Sequence, residues 1–212
     1  WSQQVYDFCN DIVKKPVLLI GNSIGGVIAL NTTKKLSHKC LGVILIDCAQ
    51  RTMDDKRLAE QSLLMRFLRP VIKTLVRQRI LSFNIFKNAA NKTFIEKILK
   101  VAYPSGNNVN EELIDTLFKP TQGLGAAEAF RGFINLFDDH LAPDLLKQLN
   151  NPVHLICGEK DPWEPVKEAQ KWFETFECIK SLNIIPEAGH CPHDEMPEKV
   201  NPILKKIIQE AI

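Results

Sequence analysis

The stretch PVLLIGNSIGGVIAL, residues 16–30, decides how this chain is read. An apolar run, Val17–Ile20, reaches Gly21; a polar Asn22–Ser23 pair follows, and a second apolar run restarts through Gly25 and Gly26. Strand, tight turn and helix fit that order. One reading is an ordinary junction in which glycines relieve crowding and the serine caps the helix. The other is a G-x-S-x-G turn, which pushes a serine hydroxyl beyond the strand's carboxyl end and aims the Ile24 N–H at the space where an oxyanion forms. Two rival glycine-rich readings fail on spacing. A phosphate-binding loop needs Lys and then Ser or Thr after its glycines, where Val27 follows Gly26; a dinucleotide fingerprint needs G-x-G-x-x-G, where the glycines fall at 21, 25 and 26.

Outward from this turn, further short apolar runs without alternation occur at 41–47, 153–157 and about 181–185, as expected of strands buried on both faces. Helical patterns alternate with them at about 25–36, 164–177 and 197–211, and residues 1–14 place Val5, Phe8, Cys9 and Ile12 at helical spacing ahead of Pro16. This order predicts an α/β protein with a mostly parallel sheet. Between the second and third strands, residues 52–140 hold helical patterns and a loop at Pro104–Asn108 but no convincing strand. The expected organisation is therefore a core over 1–51 and 141–212, interrupted by a helical cap over 52–140.

The 212 residues are 45% hydrophobic and 25% charged, enough for one substantial core with a small appended subdomain. A net charge of +2 argues against nucleic acid as a partner. No apolar segment reaches the ~18–20 residues of a membrane-spanning helix, and no signal-peptide pattern opens the chain. The chain starts at Trp1, as an internal fragment or a processed product would, so its ends bound localisation weakly. Cysteines at 9, 40, 48, 157, 178 and 191 form no C-x-x-C pair and read as reduced thiols of a cytosolic or stromal compartment.

Positive charge is concentrated in residues 51–100, with twelve Lys or Arg against four Asp or Glu. In LLMRFLRPVIKTLVRQR, Arg66, Arg69, Lys73 and Arg77 share one helical face and Leu64, Leu68, Val71 and Leu75 the opposite one, with a bend expected at Pro70. A solvated helix laid on the protein body is one reading. The other is a lid that contacts an anionic membrane surface or covers a greasy substrate.

A serine hydroxyl is a poor nucleophile near neutral pH, so Ser23 needs a base and the base needs an orienting carboxylate. His190, in EAGHCPHDEMPE after the last strand, is the candidate base, with His193 as the fallback. Asp161, in VHLICGEKDPWEP after the third strand, is the candidate acid, with Asp47 at the end of the second strand as the alternative. A capping Asp before Pro162 is the bland role for Asp161. His154 inside a strand reads as a satisfied structural histidine. The ligand-dense run His190, Cys191, His193, Asp194 and Glu195 also invites a metal reading, but it is interrupted by Pro192 and has no second ligand cluster; no metal is expected. Ser23, Asp161 and His190 follow one another in the order used by α/β-hydrolases.

GNSIGG, GEKDPWEP and AGHCPHDEMPEKVNP together resemble the α/β-hydrolase fold from its nucleophile strand onward, and in wording the plant and cyanobacterial branch of pheophytinase and chlorophyll dephytylase-like hydrolases. The resemblance implies hydrolysis of an ester of a bulky apolar substrate, in that branch the phytyl ester of a chlorophyll-type pigment, with no cofactor. It implies Ser23 as nucleophile, His190 as base, Asp161 as its orienting acid and Ile24 N–H as one oxyanion donor. It also favours a cytoplasmic or a plastid, thylakoid-associated location. Thioester cleavage, C–C bond hydrolysis, or a non-catalytic interaction role on the same scaffold are the alternatives. The family's sheet has strands before the nucleophile strand, and a loop there supplies a second oxyanion donor; those first strands are absent from these residues.

Overall fold

The four expected strands are present and each pairs with its neighbour in sequence. A computed structural model describes residues 1–51, 54–136 and 138–211. Strands β1 (Val17–Asn22), β2 (Cys40–Ile46), β3 (Val153–Gly158) and β4 (Ile179–Ile185) form one sheet in the order β1-β2-β3-β4, parallel throughout. The register sets Asn22 beside Ile46 and Ile46 beside Ile156, so the carboxyl ends of the first three strands lie together along one edge.

In chain order the helices are α1 (Ser2–Asp7), α2 (Ile24–Leu36), α3 (Leu63–Arg77), α4 (Arg79–Ala89), α5 (Lys92–Ala102), α6 (Glu111–Thr121), α7 (Ala126–Ile134), α8 (Ala142–Leu146), α9 (Val166–Thr175), α10 (Pro192–Glu195) and α11 (Pro197–Ala211). Parallel strands require a crossover, which α2 supplies between β1 and β2 and α9 between β3 and β4. β2 has both faces covered. Val43 and Leu45 pack with Leu30, Leu146, Leu155 and Trp172, while Ile44 and Ile46 pack with Ile156, Ile185, Val200 and Ile207. Each such burial stabilises by roughly 2 kcal/mol, which is why an unalternating apolar run belongs here. β1 is an edge strand, and its Ile20 is 47% exposed.

The amino-terminal pattern differs from expectation. α1 passes directly into a π-helical stretch, Phe8–Val13, closed by Lys14 in the left-handed region at φ 55°. The wider turn takes side chains off a 3.6-residue stripe: Cys9 is buried, but Phe8 and Ile12 are 58% and 68% exposed.

The chain divides into two units, one of residues 1–50, 101–107 and 140–212, the other of residues 51–100 and 108–139. Residues 101–107, inside the stretch expected as cap, thus belong with the sheet. The expected boundary at position 52 falls outside the described residues. Within the second unit the basic helix α3 turns the middle of its basic face, Arg69 and Lys73, inward, while Arg66 and Arg77 stay exposed. Arg69 is buried and its Nη2 lies 2.8 Å from Asp55 Oδ1, while Lys73 Nζ lies 2.6 Å from Asp55 Oδ2. Leu63, Leu64 and Phe67 are instead 70%, 68% and 79% exposed. α3 continues through Pro70 as one element. α4 packs on α7, with the Phe86 and Phe130 ring centroids 5.5 Å apart.

Candidate active site

The candidate site lies at the carboxyl edge of the sheet in the first unit. Ser23 occupies the turn between β1 and α2 at φ 54°, ψ −123°, a conformation L-residues rarely adopt. Its N–H donates to Ile46 O at 2.9 Å, and its carbonyl accepts from Gly26 N at 3.0 Å and Ala49 N at 3.1 Å, so three backbone bonds hold the turn. Glycine spacing follows from the same crowding. A Cβ on Gly21 would sit 2.3 Å from Gly25 O, and one on Gly26 would sit 2.7 Å from Cys48 Sγ, whereas a Cβ on Gly25 would meet open space. The tight approach therefore needs Gly21 and Gly26 bare, while Gly25 contributes its backbone. Ile24 is the first residue of α2, where an N–H has no acceptor within the helix.

His190 and Asp161 meet. His190 Nδ1 lies 2.7 Å from Asp161 Oδ2, with the Asp161 side chain fully shielded and that of His190 12% exposed. Asp161 Oδ1 accepts from the N–H groups of Trp163 at 2.8 Å and Glu164 at 3.1 Å, so the DPWEP turn is built around this carboxyl. Burial by itself raises its pKa, but the hydrogen bonds from His190 and the two backbone N–H groups outweigh that, and Asp161 sits below the ordinary carboxylate value. Trp163 stands edge-on to the His190 ring, centroids 4.9 Å apart at 81°.

The residue preceding Ser23 ties the turn to the histidine loop. Asn22 Nδ2 donates to His190 O at 3.0 Å and to Ile46 O at 3.2 Å. The sequence shows Asn22 only as one of the two variable residues of G-x-S-x-G, with no sign of this role. Glu195, which the sequence offers only as a possible metal ligand, is 2% exposed and accepts from Gly189 N at 2.6 Å, Ser105 N at 2.9 Å and Ser105 Oγ at 2.5 Å. His190 N donates to Ala102 O at 2.8 Å and Tyr103 OH to Asp194 Oδ2 at 2.9 Å, so residues 102–105 fasten the loop that carries His190. Gly189 is required there, because a Cβ would sit 2.1 Å from Ala102 O.

The alternatives do not form the acid–imidazole contact. His193 Nδ1 is buried with no hydrogen-bond partner, and burial, countered only in part by Asp194, lowers its pKa. Asp47 bonds Gly158 N, not His190, and burial, with the Asp161 and Glu164 charges adding, pushes it up to about 10. The Cys191 thiol is pushed up to about 11, chiefly by burial, and offers no thiolate to compete with Ser23. His154 Nδ1 is satisfied by Ser181 Oγ at 2.9 Å. No group of three or more His, Cys, Asp or Glu suited to a metal ion occurs among the described residues.

A family model described as the alpha/beta hydrolase family matches residues 2–203. The chain is 26% identical to the chloroplastic pheophytinase of Arabidopsis thaliana over 97% of its own length but 43% of that protein, and 25% identical to the uncharacterized hydrolase YugF of Bacillus subtilis over 88% of its length and 63% of that protein. It thus spans about half the length of these curated relatives. Among solved structures, the meta-cleavage product hydrolase CumD of Pseudomonas fluorescens IP01 superposes with a TM-score of 0.71 at 16% identity, covering all of this chain and 71% of that one. A thermophilic esterase of Thermogutta terrifontis gives 0.68 at 21% identity, covering 99% and 71%. With its parallel sheet, strand–serine–helix turn and nearly full-length match, this chain belongs to the alpha/beta hydrolase family.

Proposed function

We propose that the chain carries the catalytic residues of a serine hydrolase that cleaves an ester of a bulky apolar substrate through an acyl-enzyme. The observation that carries this reading is the 2.7 Å His190–Asp161 contact, on a loop that Asn22 bonds to the turn bearing Ser23. Ser23 Oγ attacks the ester carbonyl as His190 Nε2 takes its proton, while Asp161 keeps the proton of the ring on Nδ1 and so leaves Nε2 basic. The Ile24 N–H meets the oxyanion, a contact worth about 3 kcal/mol in such sites. His190 returns the proton to the leaving alcohol, and water then resolves the acyl-enzyme.

For the substrate, a phytyl ester of a chlorophyll-type pigment is supported by the motif wording and by the likeness to a chloroplastic pheophytinase. A plastid setting goes with it. Two open, largely apolar grooves on the second unit favour a greasy ligand: one of about 800 Å³ including Ile80, Phe83 and Leu124, another of about 250 Å³ including Phe94, Ile98 and Leu117, with Phe86 lining both. Peripheral membrane contact is part of the same proposal, resting now on the exposed apolar face of α3, with Arg66 and Arg77 exposed on that helix. Hydrolysis of a phytyl ester by the natural full-length protein, measured against short p-nitrophenyl esters, tests the substrate. Faster turnover of the phytyl ester is expected; preference for the short esters would reject it.

A further inference from the structure

Asp47 is a buried acid for which the reaction just described has no use. It follows β2 as Asp161 follows β3, and because the two strands are parallel neighbours the two acids lie at adjacent carboxyl ends of the sheet. Its backbone is held at φ 40° by an N–H bond to Ile156 O at 2.9 Å. Both carboxyl oxygens turn onto one donor, Gly158 N, at 3.0 and 3.2 Å. Gly158 is glycine of necessity, since a Cβ there would lie 1.9 Å from Gly189 O.

The surroundings decide where charge resides. Asp47 is 1% exposed, and the pocket of about 10 Å³ beside it is lined by Cys48, Gln50, Leu155, Cys157, Glu164 and Trp172 among others, with no Lys, Arg or His among the described residues. Asp161 and Glu164 are the charged side chains that act on it most, while Asp47 in turn acts on Cys48, Cys157 and Cys191. All of these are acids. A buried carboxylate with one donor and no cation is strongly disfavoured. Asp161, by contrast, accepts from His190, Trp163 and Glu164. Gly158 ties the two acids together, its N–H donating to the Asp47 carboxyl and its carbonyl accepting from Asp161 N at 3.3 Å, and two neighbouring buried carboxyls are disfavoured from carrying two charges. The donor count assigns the negative charge to Asp161 and the proton to Asp47.

We propose that Asp47 is a neutral carboxylic acid that donates its proton in a hydrogen bond to the Asp161 carboxylate, making it a positioning residue for the Asp161–His190 pair. This rests on the reading of Ser23, His190 and Asp161 as the catalytic set. The bond fixes the rotation of the Asp161 carboxyl so that Oδ2 faces His190, without placing a second negative charge that would push Asp161 toward protonation. Asn at position 47 keeps the essentials, since its amide donates to Asp161 while its oxygen accepts from Gly158 N. Leu keeps neither.

The test combines infrared difference spectroscopy with kinetics on the natural full-length protein. At neutral pH, subtraction of Asp47→Asn from wild type should reveal the carbonyl stretch of a protonated carboxyl group, shifted by carbon-13 aspartate labelling. A difference spectrum containing only carboxylate bands would overturn the proposal. In kinetics, Asp47→Leu should lower kcat about tenfold, the scale of one hydrogen bond, with KM little changed and the acidic limb of the pH profile moved, and Asp47→Asn should restore both. Collapse of the Asn variant to the level of Asp161→Asn would make Asp47 a charge-bearing acid and defeat the idea. Full activity in Ser23→Ala would sink the catalytic reading instead, leaving the infrared band to judge the protonation of Asp47.

Discussion

His190 and Asp161, which stand 29 positions apart in the chain, share a 2.7 Å hydrogen bond at the carboxyl ends of neighbouring parallel strands. Replacing Asp161 by Asn removes the charge and presents an amide that favours the wrong imidazole tautomer. We expect kcat to fall about 10⁴-fold, the loss found when the orienting acid of a serine triad becomes an amide, with KM little changed. His193→Gln should stay within a few-fold of wild type, because His193 Nδ1 has no hydrogen-bond partner among the described residues to orient the ring. Steady-state kinetics of the two variants side by side separates the roles; equal losses would contradict the assignment of His190.

The strain at Ser23 is measurable. At φ 54°, ψ −123° a side chain costs about 1–3 kcal/mol, and glycine relieves that cost at a smaller loss of about 0.5–1 kcal/mol in unfolded-chain entropy. Ser23→Gly should therefore melt above Ser23→Ala, although both lack the nucleophile. Equal melting temperatures would mean that the turn is unstrained.

Asp47 and Asp161 give opposite pH dependences. Asp161 has a lowered pKa when folded, so its stabilisation is present above the unfolded value of 3.8 and lost as pH falls through the folded one. Asp47 is raised from 3.8 to about 10, so the folded state favours its proton and stability drains away as pH rises across that window. Asp47→Asn removes this drain. Its stability relative to wild type should increase with pH between 5 and 9, on the order of 1 kcal/mol per pH unit at most. Chemical denaturation at several pH values checks the trend, and a pH-independent difference would contradict it.

On α3, Arg69 and Phe67 should act oppositely to what a basic membrane-facing helix implies. Arg69→Ala leaves Asp55 with Lys73 alone and should lower stability by about 1–2 kcal/mol, at the low end for a charged hydrogen bond because Asp55 is partly solvated. Phe67→Asp should leave the melting temperature in place yet reduce co-sedimentation with anionic vesicles. Unchanged vesicle binding in Phe67→Asp would remove the apolar face from the proposal.

The strands, the serine turn and the two loops bearing Asp161 and His190 were legible because each rests on local pattern: an apolar run, a glycine spacing, a polar residue just past a strand. Long-range meetings were not. Glu195 and Ser105 are 90 positions apart, and nothing local marks either as half of a clamp. The faces of α3 were legible as faces, but which turns inward depended on Asp55 lying near Arg69 and Lys73. The proton on Asp47 likewise depends on what surrounds it after folding, since the sequence shows an acid at a strand end and not the missing cation.

The proposed chemistry stands on Ser23 as an activated nucleophile. A fluorophosphonate probe applied to the natural full-length protein, followed by peptide mass analysis, reads this out. Covalent labelling at Ser23, abolished in Ser23→Ala and strongly slowed in His190→Ala, is the predicted result. An unlabelled Ser23 in folded wild-type protein, or labelling that proceeds unchanged without His190, would contradict it.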